Sequence, residues 1–141
     1  AEKLGIVGLL AVELFLTKDG KVLINEVAPR PHNSGHHSIE ANITSQFEQH
    51  LRAILNLPLG DPSIVKAGVM VNLLGEFGHE GTAVYQGLED VLKFSGVYVH
   101  LYGKSITKAF RKMGHVTIVD NDILKAKQKA KLVKNTLKVV A

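Results

Sequence analysis

The segment VELFLTKDGKVLINEV, residues 12 to 27, consists of two apolar runs with a turn between them. Asp19-Gly20 is a dipeptide typical of a two-residue hairpin loop, and β-branched and other large apolar residues dominate both sides. The pattern predicts a long buried strand over residues 4 to 16 and a returning strand over residues 21 to 27.

The predicted hairpin brings two carboxylates together. With Lys18 opposite Lys21, Glu13 falls directly opposite Glu26, and side chains in that position lie about 5 Å apart. Two such carboxylates repel each other and need either a shared proton or a divalent cation, for which magnesium is the best match to oxygen ligands. A register shifted by one residue would instead turn one glutamate to solvent and make the pair accidental.

A stiff polar loop follows the second strand. Arg30 lies between two prolines, which fix the backbone and hold the segment extended. Arginine suits carboxylate or phosphate, and His32, Asn33 and Ser34 add further hydrogen-bonding groups beside it. The alternative is a loop of ordinary turn residues. A zinc site is disfavoured, because the histidines lack helical spacing and the chain has no cysteine.

The pattern changes after this region. Ser45 with Glu48 predicts a capping box at the start of a helix over residues 45 to 57. The composition shifts near residues 61 to 63, so we expect one domain over residues 1–62 and a second, small β-rich domain over residues 63–141.

The second domain is predicted to contain strands at residues 67 to 74, 96 to 102 and 115 to 120. Two sets of apolar residues recur there at helical spacing, and the later one predicts that the domain ends in a basic amphipathic helix. The two sets are Val84, Leu88, Val91 and Leu92, and Ile123, Ala126, Ala130, Val133 and Leu137.

Composition bounds the class of protein. The chain has 141 residues, of which 45% are hydrophobic and 21% charged, as in folded globular proteins. The absence of cysteine excludes disulfides and fits a reducing compartment, so we expect a cytoplasmic location. No apolar run approaches the length of a membrane span, and we expect no membrane partner.

Charge is unevenly distributed. The net charge is +4, but residues 104 to 141 hold ten of the 17 basic and two of the 13 acidic side chains. No aromatic residues interleave with the lysines of the last helix, which favours a solvated helix face over a nucleic-acid surface. We therefore expect no nucleic-acid partner.

Three motifs together resemble the 5-(carboxyamino)imidazole ribonucleotide synthases, which are ATP-grasp enzymes of purine biosynthesis. They are NEVAPRPHNSGH at 25 to 36, TSQFEQHLRA at 44 to 53, and RKMGH at 111 to 115. The segments VMVNLLGE and HLYGKSITKAFRKMGHVTI resemble the C-terminal domain of the same enzymes. The resemblance implies an α+β fold, with the C-terminal half of an ATP-grasp domain followed by the small β-rich domain.

The resemblance also implies roles for charged residues. Glu13 and Glu26 resemble the pair that holds magnesium on the phosphates of ATP, so Glu26 is also a nucleotide contact. Lys104, Arg111 and Lys112 resemble the group that binds the ribonucleotide phosphate. We expect these three cations to lie near the loop that follows the hairpin.

The polar loop resembles the segment that lies at the reaction site in this family. Arg30 and His32 correspond to residues near carboxyphosphate and the aminoimidazole, and Asn33 and Ser34 help to order that site. The implied reaction transfers a phosphoryl group from ATP to bicarbonate and forms carboxyphosphate. Carboxyphosphate then breaks down to phosphate and carbon dioxide, which the amine of aminoimidazole ribonucleotide captures. His32 is a candidate base for that amine, or only a binding group. The family also implies a homodimer for the full-length enzyme.

The sequence departs from the pattern of the resembling family at one place, and two other functions stay open. Ala109-Phe110 stands where many relatives have Pro-Gly before Arg-Lys. A formate-dependent glycinamide ribonucleotide transformylase shares a Pro-Arg-Pro-His run, but continues with Asp-Thr-Gly where this chain has Asn33-Ser34-Gly35. A non-catalytic phosphate-binding module is the other alternative. Because the chain starts at Ala1 almost inside a predicted strand, we expect it to be the C-terminal part of a longer enzyme, inactive alone.

Overall fold

The computed structural model describes residues 1–141 and divides into two compact units, Ala1–Ile64 and Val65–Ala141. The chain has an α+β fold, with antiparallel sheets and short helices in both units. The composition change near residue 62 lies beside this division.

The first unit is built on an antiparallel hairpin. Strand β1 (Ala11–Leu16) pairs with strand β2 (Val22–Ala28). The prediction of a long buried strand over residues 4 to 16 is wrong in its first half, and also in its burial, because most side chains of β1 are exposed. Gly5 and Gly8 in that first half have φ angles of +62° and +121°, and these positive values take the backbone out of the extended conformation.

The hairpin loop contains three residues rather than the predicted two. Thr17 N donates to Lys21 O at 2.9 Å, and Gly20 closes the turn with a φ of +82°. Such a loop ends in a left-handed residue, which glycine adopts without strain. The register beside the turn is therefore one residue away from the predicted one, with Leu16 opposite Val22.

Short helices follow the hairpin. A 3₁₀ turn (Asn33–Gly35) leads into α1 (Ser38–Ala41) and then α2 (Gln46–Ile54). Ser45 caps α2 as predicted, because its hydroxyl accepts from Glu48 N at 3.2 Å.

The second unit contains a three-stranded antiparallel sheet. Its strands are β3 (Ala67–Leu74), β6 (Val97–Leu101) and β8 (Lys112–Asp120), and they lie in the order β3-β8-β6. β8 is the central strand and is buried along most of its length. Helix α4 (Ile123–Thr136) packs against β3 and β8.

Short elements surround this sheet. β4 (Gly81–Thr82) pairs with β7 (Ile106–Thr107), and β5 (Val84–Gln86) pairs with β9 (Lys138–Val140). Two predictions are corrected here. Val84 belongs to a strand, so the predicted helix reduces to α3 (Leu88–Val91). The chain ends in β9 rather than in a helix, because β5 offers its backbone for pairing.

The core of the second unit lies between α4 and the sheet. The predicted apolar face of α4 is confirmed for four of its members, which are buried: Ala126, Ala130, Val133 and Leu137. They pack with Leu73 of β3 and with Met113, Val116 and Ile118 of β8.

Replacing Ile118 with alanine should strongly destabilise the second unit. Its side chain is fully buried on the central strand, so truncation removes apolar contacts and leaves a cavity. We expect the free energy of unfolding to fall by about 2–5 kcal/mol. Ile123→Ala, at a side chain that is 41% exposed, is the control and should cost much less. Urea unfolding of both variants measures the difference, and equal losses would contradict this assignment of the core.

The helices of the chain include none with the length and apolar character needed to cross a membrane.

Candidate metal centre at the hairpin

A β-bulge determines where the hairpin carboxylates lie. The register changes between Val12 and Leu14, where Glu13 of β1 faces both Asn25 and Glu26 of β2. The extra residue on β2 offsets the shift produced by the three-residue loop. Glu13 and Glu26 therefore meet, although the hairpin differs from the predicted one at its loop.

The two glutamates form a compact cluster with His32. One ligand atom from each of the three side chains lies within 4.8 Å of the others. The predicted proximity of Glu13 and Glu26 is thus confirmed by the geometry. The participation of His32 was not predicted from the hairpin, because it arises from the path of the loop after β2.

Glu13 is held on both carboxylate oxygens. His32 Nε2 lies 2.8 Å from Glu13 Oε1, and Asn25 Nδ2 donates to Glu13 Oε2 at 3.1 Å. Glu26 makes no side-chain hydrogen bond or ion pair and is exposed. One carboxylate is therefore oriented by the protein, and the other is available to a ligand.

The loop after β2 positions His32 but directs Arg30 elsewhere. His32 Nδ1 lies 2.9 Å from Ser34 Oγ, so both ring nitrogens have partners. Asn33 begins the 3₁₀ turn for which His32 is the N-cap. Arg30 Nη1 donates to the carbonyl of Pro31 at 3.1 Å, and its guanidinium makes no ion pair with the two glutamates. Ser34 is exposed beside the ring.

The donor set fits a hard divalent cation. Magnesium prefers oxygen ligands and is often bound through one or two carboxylates, with substrate phosphates completing its coordination. Glu13 and Glu26 supply such oxygens, and neither is paired with a lysine or arginine. His32 then serves best as a hydrogen-bond partner that orients Glu13, the usual arrangement around a ligating carboxylate.

Two residues that shape this centre were not predicted from the sequence. Asn25 contacts Glu13 from within the bulge, and Gln46 contacts the main chain of His32 from helix α2. Their only signal in the sequence is that each lies inside one of the three motifs that carry the family resemblance.

The predicted phosphate-binding cations lie in the second unit. Lys104 Nζ donates to the carbonyl of Lys112 at 2.6 Å and lies 5.8 Å from the ring centre of Tyr102. Arg111 Nη1 donates to Ile106 O at 3.0 Å. Lys112 is the first residue of β8 rather than part of a loop. That these cations face residues 30 to 36 stays a prediction.

Tyr102 begins the segment of residues 102 to 111 between β6 and β8, which carries Lys104 and Arg111 and which we call the basic loop. The Tyr102 hydroxyl lies 2.9 Å from Nδ1 of the buried His115. Burial raises the pKa of the Tyr102 hydroxyl, which is protonated at neutral pH even at its usual value. The hydrogen bond between the Tyr102 hydroxyl and His115 orients the aromatic ring that Lys104 contacts.

The basic loop is docked on Gly75. Gly75 N donates to Arg111 O at 2.9 Å, and Phe110 N donates to Gly75 O at 2.8 Å. A Cβ at Gly75 would lie 2.2 Å from Lys108 O, so only glycine fits there. Phe110 has a φ of +63°, a left-handed backbone conformation that glycine adopts with less strain than phenylalanine.

Phe110→Gly should therefore not destabilise the fold. The aromatic side chain is 69% exposed, so little burial is lost, whereas the left-handed backbone strain disappears. We expect the second unit to gain up to about 1 kcal/mol of unfolding free energy. Phe77→Gly is the control, since Phe77 is similarly exposed but has no positive φ. Thermal unfolding compares the two variants, and a loss of stability in Phe110→Gly exceeding that of the control would refute the argument from strain.

Two family models match the chain in order. Residues 1–47 match the ATP-grasp domain, and residues 68–129 match the phosphoribosylaminoimidazole carboxylase C-terminal domain. The predicted combination of a partial ATP-grasp domain and this C-terminal domain is thus confirmed.

Individual relatives agree with both matches. The chain is 52% identical over 119 residues to an N5-carboxyaminoimidazole ribonucleotide synthase of Bacillus subtilis, covering 84% of this chain and 30% of that protein. A crystal structure of the synthetase from Thermotoga maritima is 56% identical with a TM-score of 0.92, covering 96% of this chain and 38% of that one.

A third relative carries ligands. It is an Aspergillus clavatus N5-carboxyaminoimidazole synthase in complex with ADP and 5-aminoimidazole ribonucleotide, which is 33% identical with a TM-score of 0.79. The match covers 91% of this chain and 34% of that one, so the chain spans less than two fifths of each of these relatives. Its fold, its motifs and its two domain matches show that the chain belongs to the N5-carboxyaminoimidazole ribonucleotide synthase family.

Proposed function

We propose that the chain is the C-terminal part of an ATP-grasp carbon–nitrogen ligase that carboxylates 5-aminoimidazole ribonucleotide, using ATP and bicarbonate. The cluster of Glu13, Glu26 and His32 carries this proposal, because it offers a magnesium site within the part of the chain that matches the ATP-grasp domain. The A. clavatus complex contains the same two kinds of ligand, an adenine nucleotide and this ribonucleotide.

Glu13 and Glu26 would hold magnesium against the phosphates of ATP. The bound cation would neutralise charge that develops as the γ-phosphoryl group moves to bicarbonate. Glu13 is fixed by His32 and Asn25, so its carboxylate is already oriented before a ligand arrives. Glu26, which is exposed and unpaired, would complete the pair.

The loop after β2 would bind the reacting groups. Arg30 is free of ion pairs and can turn its guanidinium toward carboxyphosphate. The planar guanidinium group can donate two parallel hydrogen bonds to the oxygens of a phosphate or a carboxylate. Both ring nitrogens of His32 already have partners in Glu13 and Ser34, which favours an orienting role over that of a general base. Asn33 and Ser34 would order the same loop.

Lys104, Arg111 and Lys112 would bind the phosphate of the ribonucleotide. The side chains of Lys104 and Arg111 donate hydrogen bonds to main-chain carbonyls of the same region, and Lys104 also lies over the ring of Tyr102. With Lys108, the three cations make four basic side chains within nine residues, a density of positive charge that suits a doubly charged phosphate.

We propose further that the whole enzyme is a cytoplasmic homodimer acting on small molecules, without nucleic-acid or membrane partners. The lysines of α4 support the absence of a nucleic-acid partner, because no aromatic side chains accompany them and one of them, Lys129, is paired with Asp120 at 2.9 Å. The Lys129 ammonium lowers the pKa of that carboxyl, which keeps the pair charged at neutral pH.

A chimaeric enzyme tests the proposed reaction. The N-terminal portion of the B. subtilis relative would be joined to this chain, and phosphate release measured with ATP, bicarbonate and 5-aminoimidazole ribonucleotide. We expect turnover that requires all three substrates. Turnover with formate and glycinamide ribonucleotide instead would favour a transformylase, and binding of phosphate without turnover in either assay would favour a non-catalytic module.

A further inference from the structure

We infer that Gln46 is a positioning residue that keeps the His32 ring against Glu13. The inference deepens the proposed function, since it rests on Glu13 as a metal ligand. Gln46 lies at the start of α2, fourteen residues after His32, and no ligand contact is required of it.

Gln46 clamps the main chain of a single residue. Its Oε1 accepts from His32 N at 2.9 Å, and its Nε2 donates to His32 O at 2.8 Å. The same Nε2 lies 2.8 Å from His36 Nδ1. One primary amide thus pairs with both polar groups of the His32 backbone, which fixes the direction in which the His32 side chain leaves the loop.

The loop is shaped around this amide. A Cβ at Gly35 would lie 2.5 Å from Gln46 Oε1, so any other residue there would have to displace the Gln46 amide. Ser38 Oγ accepts from Gln46 N at 2.9 Å and donates to Gly35 O, which ties the start of α2 to the same turn. The clamp is half-buried and is part of the packing between loop and helix.

The clamp acts on the metal centre through one side chain. With the His32 backbone fixed and its Nδ1 beside Ser34, the ring reaches Glu13 with Nε2 at 2.8 Å. That contact orients the carboxylate. Partners that orient a ligating group commonly change metal affinity when they are removed.

The chain contains a matched control on the same helix. Gln49 makes an equivalent clamp on Gly60, accepting from Gly60 N at 2.9 Å and donating to Gly60 O. Gln49 is also half-buried, but its loop does not carry a residue of the metal cluster. Loss of either clamp should lower the free energy of unfolding. Only loss of the Gln46 clamp should change the orientation of the Glu13 carboxylate.

The experiment compares Gln46→Met and Gln49→Met in the 141-residue chain. Methionine has nearly the same length and volume as glutamine but no amide. Without metal, NMR measures nuclear Overhauser contacts between the His32 ring and the Glu13 side chain. With Mn²⁺ alone as the probe, electron paramagnetic resonance measures the dissociation constant.

We expect Gln46→Met to lose the contact between the ring and Glu13 and to bind Mn²⁺ about tenfold more weakly, while Gln49→Met changes neither. Retention of the contact in Gln46→Met, or the same losses in Gln49→Met, would overturn the inference. If wild type binds no Mn²⁺, the proposed metal role fails, and the metal-free contact still decides the role of Gln46. If Gln46→Met does not fold, Gln46→Glu replaces it, because the carboxylate keeps the acceptor and loses the donor.

Discussion

The 141-residue chain alone should release no phosphate from ATP above the uncatalysed background, whereas the chimaera with the N-terminal portion of the B. subtilis relative should be active. Catalysis by positioning needs groups on all sides of the phosphates, held close to productive geometry. In the proposed site, Glu13 and Glu26 supply one side. The chain covers only 30% of that relative, so we expect the other groups of the proposed phosphate site to come from the portion that the chimaera adds.

A weak cation site gives a second reason for this result. Magnesium retains most of its waters unless substrate phosphates replace them, so two carboxylates on one hairpin bind it weakly. The assay would compare phosphate release by the isolated chain and by the chimaera at equal concentration, with circular dichroism showing that the isolated chain is folded. Appreciable turnover by the folded chain alone would mean that its residues form a complete ATP site.

Glu26→Gln and Glu13→Gln should each lower kcat/KM of the chimaera by at least about a hundredfold, an effect of the size found when one charge-stabilising group is removed from an active site. Glutamine keeps the size of the side chain and removes its charge. Glu13→Gln also changes the contact with His32 Nε2 at 2.8 Å, so it should disturb the centre more than Glu26→Gln.

Asp19→Asn is the matched control for these variants. Asp19 lies on the same hairpin, at its exposed loop, where hydrogen bonds from Thr17 and Lys21 lower the pKa of its carboxyl. It has no part in the cluster, and the variant should keep full activity. Raising the Mg²⁺ concentration should partly restore Glu26→Gln, because the lost charge weakens binding of the cation. Full activity of both glutamate variants would remove the proposed metal role.

The proximity of Glu13 and Glu26 depends partly on features that the sequence predicts and partly on features that only the structure shows. Asp19-Gly20 correctly indicates a hairpin, but the loop has three residues, and this alone would put Glu13 opposite Asn25. The bulge on β2 moves the register back by one residue. Loop length and bulge position depend on backbone twist and on contacts across the strands, which alternation of apolar residues does not encode.

The secondary structure was likewise predicted in some places and not in others. Periodicity correctly predicted β3 and the buried face of α4, because both bury a regular stripe of apolar side chains. It failed before β1, where two glycines take positive φ angles within an apolar run. It also failed at Val84, which pairs with β9 from the far end of the chain, since short strands depend on partners that are distant in sequence.

The sequence by itself determined the chemical groups of this protein and their local stiffness: two carboxylates on a hairpin, an arginine held between prolines, a histidine after them, and motifs typical of one enzyme family. Only the tertiary structure decided that His32 joins the two glutamates and that Gln46 holds it there. The physical reason is that these contacts are hydrogen bonds between segments far apart in the chain, such as the fourteen residues that separate His32 from Gln46. Their geometry follows from how loop and helix pack, and no local pattern of residues specifies it.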